Sequence, residues 1–181
     1  MTLLTAVNSM LAVMTVAGQA FFLVLLAALI GRRERIVNVA GAHALWWAFL
    51  VALGATLGSL FYSEIAGYEP CKLCWFQRIF LYPQTILLGI ALWKKDPGIA
   101  RYIFALSVIG AVIAGYHYLL QIGVAPELPC AAVGYSVSCS QRFVLQFGYI
   151  TIPLMAFTAF LLNAILAFAH RRSSAPGIRV R

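Results

Sequence analysis

Long stretches without one charged side chain run through this 181-residue chain. They cover residues 2–31, 36–63, 79–93, 102–126 and 143–170, with lengths of 30, 28, 15, 25 and 28 residues. A helix that crosses a bilayer core of about 30 Å needs roughly 20 mostly apolar residues. Four of the stretches qualify outright. The third reaches 21 residues if residues 73–78 are counted with it. Arg78 would then lie near one membrane surface, where a long cation can reach water. Continuous apolar sequence of this length reads as helix, because barrel strands show only short alternating stretches. The expectation is five spanning helices, one per stretch. The first stretch has no basic residue before it and is far longer than the roughly 7–15-residue core of a cleaved signal peptide, so it is expected to be a retained helix.

Composition supports the same class. Hydrophobic residues make up 63% of the chain and charged ones 10%, against about 25% charged in an average soluble domain. So few charges could not wet the surface of a soluble globule, and so apolar a chain is not a disordered one. The net charge of +8 does not mark a nucleic-acid surface, because no Lys/Arg-rich block interrupts the apolar runs.

The charge is instead a topology signal. Basic residues gather at Arg32, Arg33 and Arg35, at Lys94, Lys95 and Arg101, and at Arg171, Arg172, Arg179 and Arg181. The segments between them, residues 64–72 and 123–142, hold only Lys72 and Arg142. Five helices put the three basic segments on one side and the two poor ones on the other. By the positive-inside rule the N-terminus is expected outside and the C-terminus in the cytoplasm. Residues 171–181 read as a short frayed tail. Gly54 and Gly58 form a GxxxG pattern, read as close packing against a neighbouring helix.

All four cysteines, Cys71, Cys74, Cys130 and Cys139, then fall in the outer segments or at their membrane edges. That is the oxidising face, where disulfides persist. Four cysteines allow three connectivities. Structural staples, a zinc site and redox-active dithiols all compete. The second pair is C-x8-C rather than a short zinc knuckle, so no metal is expected. A bridge between Cys130 and Cys139 would contribute somewhat under ~3 kcal/mol, a size that suits a staple equally well. The setting of the first pair favours redox chemistry. C-x-x-C opens a helix whose N-terminal N–H groups stabilise a thiolate. Arg78 lies four residues after Cys74, on the same face and one turn deeper, as a cation that favours the thiolate further.

Pro70-Cys71-Lys72-Leu73-Cys74-Trp75-Phe76-Gln77-Arg78-Ile79, followed by Tyr82-Pro83, resembles the signature of the disulfide-bond formation proteins of the DsbB/BdbC family. Gly115-Tyr116-His117, Cys139-Ser140 and the Gly148–Pro153 run fit the same pattern. The resemblance covers about residues 43–170 and is closest to the BdbC branch. It implies an all-α integral membrane protein, a DsbB-like four-helix transmembrane bundle over residues 36–170. An extra N-terminal transmembrane helix and cytoplasmic turn would occupy residues 1–35, and the cytoplasmic tail residues 171–181.

The activity the resemblance implies is that of a thiol:quinone oxidoreductase of the bacterial plasma (inner) membrane. Such an enzyme reoxidises a secreted thioredoxin-like thiol oxidase of the DsbA/BdbD type and passes two electrons to ubiquinone or menaquinone. Carried over by position, Cys130 resembles the cysteine attacked by the partner, and Cys139 its mate, which can exchange with Cys71. Cys74 resembles the cysteine whose thiolate meets the quinone, and Arg78 the arginine that supports both.

His117, a few residues below the outer end of its helix, is an intramembrane ionisable group and a candidate hydrogen-bond or proton donor to quinone. Trp46, Trp47, Trp75 and Trp93 all fall near helix ends, as an aromatic belt would. Trp75, beside Cys74, could also pack on the quinone ring. Residues 141–148 are expected as a short interfacial helix bringing Cys139 near Cys71. The competing classes are a non-enzymatic scaffold or transporter subunit with stapled outer loops, and a thiol oxidase of the vitamin K epoxide reductase type.

Overall fold

A computed structural model describes residues 3–126 and 138–174 of the chain. Cys130 lies outside the described residues, as do Glu127 and the end of the tail. The described chain forms α1 (Leu3–Ile30), α2 (Glu34–Ala42), α3 (Ala44–Leu60), α4 (Lys72–Lys94), α5 (Ala100–Gln121) and α6 (Ile152–Ser173).

Helices α3 to α6 run alternately up and down and close into a ring, with α3 packed on both α4 and α6, and α5 on both α4 and α6. Helix α1 lies outside this ring, against α6 and beside α3. The protein is therefore a four-helix membrane bundle with one further N-terminal spanning helix. Among the described residues four segments, Leu3–Ile30, Ala44–Ile65, Pro97–Gln121 and Ile152–Ser173, are long and apolar enough to cross a membrane. Helix α4 is more polar, carrying Gln77, Arg78 and Gln84. Its 23 residues still extend about 34 Å at 1.5 Å per residue, and it completes the ring. Apolar side chains cover the outside, among them Leu23, Ile86, Val112 and Trp93, as lipid requires rather than water.

One expectation needs correcting. The uncharged stretch 36–63 is not one helix. It breaks at His43, whose φ of −112° and ψ of 9° leave helical geometry, so α2 and α3 are separate. Helix α2 is amphipathic and packs Val37 and Gly41 inward against the end of α6. A Cβ at Gly41 would overlap Ser173. His170 Nδ1 lies 3.0 Å from the Gly41 carbonyl, which ties the two elements together.

Small residues bring the bundle helices into contact, as is usual where lipid removes the hydrophobic drive between helices. A Cβ at Gly110 on α5 would overlap the Phe160 ring of α6. A buried polar cluster joins three helices at mid-bundle. Gln84 Oε1 accepts from Ser107 Oγ at 3.0 Å and from Asn163 Nδ2 at 2.9 Å. Gln84 Nε2 donates back to the Phe80 carbonyl, one turn earlier and beside Pro83. All three side chains are fully buried.

Two features position the site. The last turn of α3 widens into a π-turn over Phe61–Ile65, a form that recurs where a helix must present side chains to a site. At the same end of the bundle, the segment leading to α6 is pinned to the end of α5. Arg142 donates through Nε and Nη2 to the Gln121 carbonyl, and Gln121 Nε2 donates to the Gln141 carbonyl. The expected interfacial helix over residues 141–148 does not form. The chain makes a tight turn instead, closed by Gln146 pairing with Ile150, with Phe147 and Gly148 at φ 51° and 78°. Glycine suits that geometry, and Phe147 tolerates it on the exposed tip.

Candidate functional site

Cys71 caps the N-terminus of α4 in an extended conformation, and Cys74 stands in the first turn. Cys71 Sγ donates to Cys74 Sγ at 3.3 Å. That bond and burial push the Cys71 thiol up to about 12, only partly opposed by His117. Both cysteines adjoin the buried cluster around Cys139, but only Cys74 also lines a cavity, and this gives the site two sides.

On one side Cys71 packs in a buried cluster with Leu73, Leu120 and Cys139. His117 organises this side. Its Nδ1 lies 2.9 Å from Gln77 Nε2, an amide nitrogen that can only donate. Nδ1 is therefore the acceptor and Nε2 carries the proton. Nε2 donates to the Cys139 carbonyl at 3.0 Å and stands 3.7 Å from Cys71 Sγ. His117 thus fixes the Cys139 backbone against Cys71. The closeness expected of these two cysteines is present, produced by loop anchoring rather than by a helix.

On the other side lies a cavity of about 190 Å³. Cys74, Gln77, Arg78 and Leu81 of α4 line it, with residues from α3, α6 and α1. Arg78 is nine-tenths buried. It donates to Ser59 Oγ at 3.0 Å and to the Ser59 carbonyl at 3.1 Å. Its guanidinium lies 5.1 Å from the Trp75 ring centre and 5.9 Å from that of Tyr82. These partners orient the cation at the cavity wall, which also includes Glu69. Toward the cysteine end, Tyr62 stacks on Tyr68 and Tyr68 on Phe143, at 5.8 and 4.8 Å. All three rings belong to the cavity wall.

Cys71, Cys74, Cys139, Arg78 and His117 are thus brought to one end of the bundle, opposite the described basic segments. His117 does not line the cavity; it faces Cys71 and Cys139. Trp75 is more than half exposed and meets Arg78 from outside rather than from the cavity. The GxxxG pattern also differs from expectation. Gly58 does approach another helix, at the Leu11 side chain, but Gly54 faces the open cavity, with no atom within 4 Å of the point where a Cβ would stand.

Gln77 belongs to both sides, bonding His117 and lining the cavity. It was not singled out from sequence, although a glutamine three residues after Cys74 in an apolar helix is a readable signal. Cys71, Cys74 and His117 offer three ligand atoms within 4.8 Å of one another. Nε2 of His117 is already engaged with the Cys139 carbonyl, so a zinc ion there would have to displace that bond.

Residues 41–170 match the family described as disulfide bond formation protein DsbB. The probable disulfide formation protein C 1 of Bacillus anthracis is 45% identical over 126 residues, 70% of this chain and 90% of that protein. A probable disulfide formation protein of Metapseudomonas resinovorans is 44% identical over 130 residues, 71% of this chain and 89% of its own. The disulfide bond formation protein C of Bacillus subtilis is 43% identical over 123 residues, 67% of this chain and 87% of its own. No solved structure matches the chain significantly. With the matched region spanning the four-helix ring and both described cysteine sites, this chain belongs to the DsbB family of disulfide bond formation proteins.

Proposed function

We propose that the protein is a thiol:quinone oxidoreductase that reoxidises a secreted thioredoxin-like thiol oxidase of the DsbA/BdbD type. The observation that carries this reading is the division at α4. Cys74 and Arg78 share the wall of a membrane-embedded cavity, while Cys71, three residues earlier, faces Cys139.

The cavity suits an apolar ring. An apolar cavity of about 150 Å³ takes up benzene, and this one, at about 190 Å³, is similar in size and adds one buried cation. When bound, a quinone supplies an acceptor for two electrons and two protons. The chain's own residues deliver them. A partner thiolate attacks Cys130 of a Cys130–Cys139 disulfide and releases Cys139 as thiolate. Cys139 attacks Cys71 of a Cys71–Cys74 disulfide, and Cys74 leaves as thiolate into the cavity. The second partner thiolate then attacks the partner's own sulfur in the mixed disulfide, closing the partner's disulfide and releasing Cys130 as thiolate, which attacks Cys139 of the Cys139–Cys71 disulfide. Reclosure of Cys130–Cys139 returns Cys71 as the thiol beside Cys74. Two electrons and two protons per cycle pass from the partner dithiol through the Cys71/Cys74 dithiol to the acceptor. Arg78 stabilises negative charge on the Cys74 sulfur and on acceptor oxygen. The His117 N–H stabilises Cys71 whenever that sulfur is the leaving group.

The basic segments are proposed to face the cytoplasm. The cysteines would then face the outside, where the disulfides they generate persist.

The test uses purified protein, a reduced DsbA-type partner and quinone, followed by quinone absorbance. Cys74→Ser should abolish quinone reduction, and Arg78→Ala should raise the apparent quinone KM while the protein still inserts. Normal turnover in Cys74→Ser would overturn the mechanism. A stapled scaffold is separated by trapping thiols in cells: staples stay oxidised when respiration stops, whereas a relay accumulates free thiols.

A further inference from the structure

Helix α1 lies outside residues 41–170, which match the family, and the electron relay described above does not use it. Yet Leu11, Met14 and Thr15 of α1 line the cavity beside Cys74 and Arg78. From this we infer that α1 is a built-in wall of the acceptor site, closing the groove between α3 and α6 and setting which quinone ring fits. The inference rests on the quinone reading and adds the residues that shape its site.

Three observations show that α1 is seated there rather than loosely apposed. Near its start, Tyr62 Oη donates to Asn8 Oδ1 at 2.9 Å, and Tyr62 is itself part of the cavity wall. One turn beyond the lining residues, Gln19 Nε2 donates to Thr158 Oγ1 at 3.3 Å and Gln19 Oε1 accepts from Tyr149 Oη at 3.1 Å. Between these two ties, Gly18 lets α1 approach α6 so closely that a Cβ there would stand 2.9 Å from Leu162 Cδ1.

The face between the ties is apolar in effect. The Thr15 hydroxyl is spent on the Leu11 carbonyl of its own helix at 2.7 Å. Leu11 also touches Gly58 of α3, with 3.3 Å between Leu11 Cδ1 and a Cβ placed on Gly58. Across the cavity, Gly54 leaves open space. Leu11 therefore fixes the width of the cavity on the side where α3 is thinnest. A bulkier side chain at Leu11 would take up room needed by the ring, whereas the neighbouring Val13 points away, more than half exposed.

The experiment compares Leu11→Trp, Val13→Trp and Arg78→Ala in full-length protein in nanodiscs, with a reduced DsbA-type donor and decylubiquinone or menadione as acceptor. Leu11→Trp should raise the apparent KM for both acceptors about tenfold, equivalent to about 1.4 kcal/mol, with Val13→Trp unchanged. An unchanged KM in Leu11→Trp beside a raised one in Arg78→Ala would overturn the role of α1 and leave the quinone reading standing. Unchanged values in both would remove the quinone reading itself. If Leu11→Trp does not fold, wild-type protein labelled with a photoreactive azidoquinone decides: label on the peptide holding residues 11–15 supports the wall, and label confined to α3, α4 and α6 refutes it.

Discussion

Replacing His117 with phenylalanine separates two jobs this buried imidazole could do. A ring that served the acceptor would change how tightly quinone is used. A ring that serves Cys71 and Cys139 would change how fast thiols exchange. The geometry favours the second, since His117 bonds Gln77 and the Cys139 carbonyl, stands 3.7 Å from Cys71 Sγ and has no place in the cavity wall. Phenylalanine keeps the ring's bulk and removes the N–H. A hydrogen bond to a charged group contributes about 1.5–3 kcal/mol. At 3.7 Å the sulfur contact belongs at the low end, so the steps in which Cys71 leaves as thiolate should slow roughly tenfold. The freed Gln77 amide and Cys139 carbonyl would each cost about 1–3 kcal/mol if left unpaired, so the variant should also unfold more readily. Stopped-flow quinone absorbance with a reduced DsbA-type donor gives both constants. The expected result is a kcat about one-tenth of wild type with the quinone KM unchanged within about twofold. His117→Gln, which can still donate to the Cys139 carbonyl, should recover part of the rate. A severalfold rise in quinone KM with kcat intact would refute this assignment and return His117 to the acceptor.

Two further outcomes follow from described contacts. Asn163→Leu removes one arm of the Gln84 cluster, and hydrogen bonds between membrane helices average about 0.6 kcal/mol with a maximum of about 1.7. Unfolding in mixed detergent micelles should show a loss in that range with the quinone KM unaltered, and a larger loss would mean the cluster does more than join helices. The reduced protein should keep Cys71 unmodified by iodoacetamide at pH 8. Its pKa, raised to about 12, keeps the thiol form below that pH, and alkylation should quicken only as pH climbs toward it. Rapid labelling of Cys71 at pH 7, read by mass spectrometry, would contradict the hydrogen-bonded, buried setting.

Charge and hydropathy carried the architecture because both act along the chain: an uncharged stretch long enough to span lipid has few other folds open to it. The separation of the described basic segments from the cysteines followed from the same pattern. What the linear pattern lacked was tertiary. His43 breaks the second stretch with no proline to announce it, and Gly41, two residues earlier, is the close-packing point against Ser173. The turn at Phe147 and Gly148 replaced a helix because Arg142 and Gln141 are held by Gln121 of α5, twenty residues away in sequence. Cys74 and Arg78, one turn apart, were legible as a pair facing one surface. The orientation of His117 was not, because only the packing of α4 against α5 decides which partner an imidazole finds. Gly54 looked like a packing residue, since GxxxG reads alike whether the space above it is filled by a helix or left open.

The two faces of α4 have a kinetic meaning under the proposed function. Cys71 meets Cys139 on one side, and Cys74 meets the cavity on the other. A water-soluble thiol donor and a lipid-soluble acceptor therefore never share a chamber, and neither has to wait for the other to bind. The enzyme can be loaded by one and later unloaded by the other, storing the electron pair as a dithiol in between. Such a protein obeys ping-pong kinetics, with its first helical turn of α4 acting as the partition that prevents the donor from short-circuiting to the acceptor.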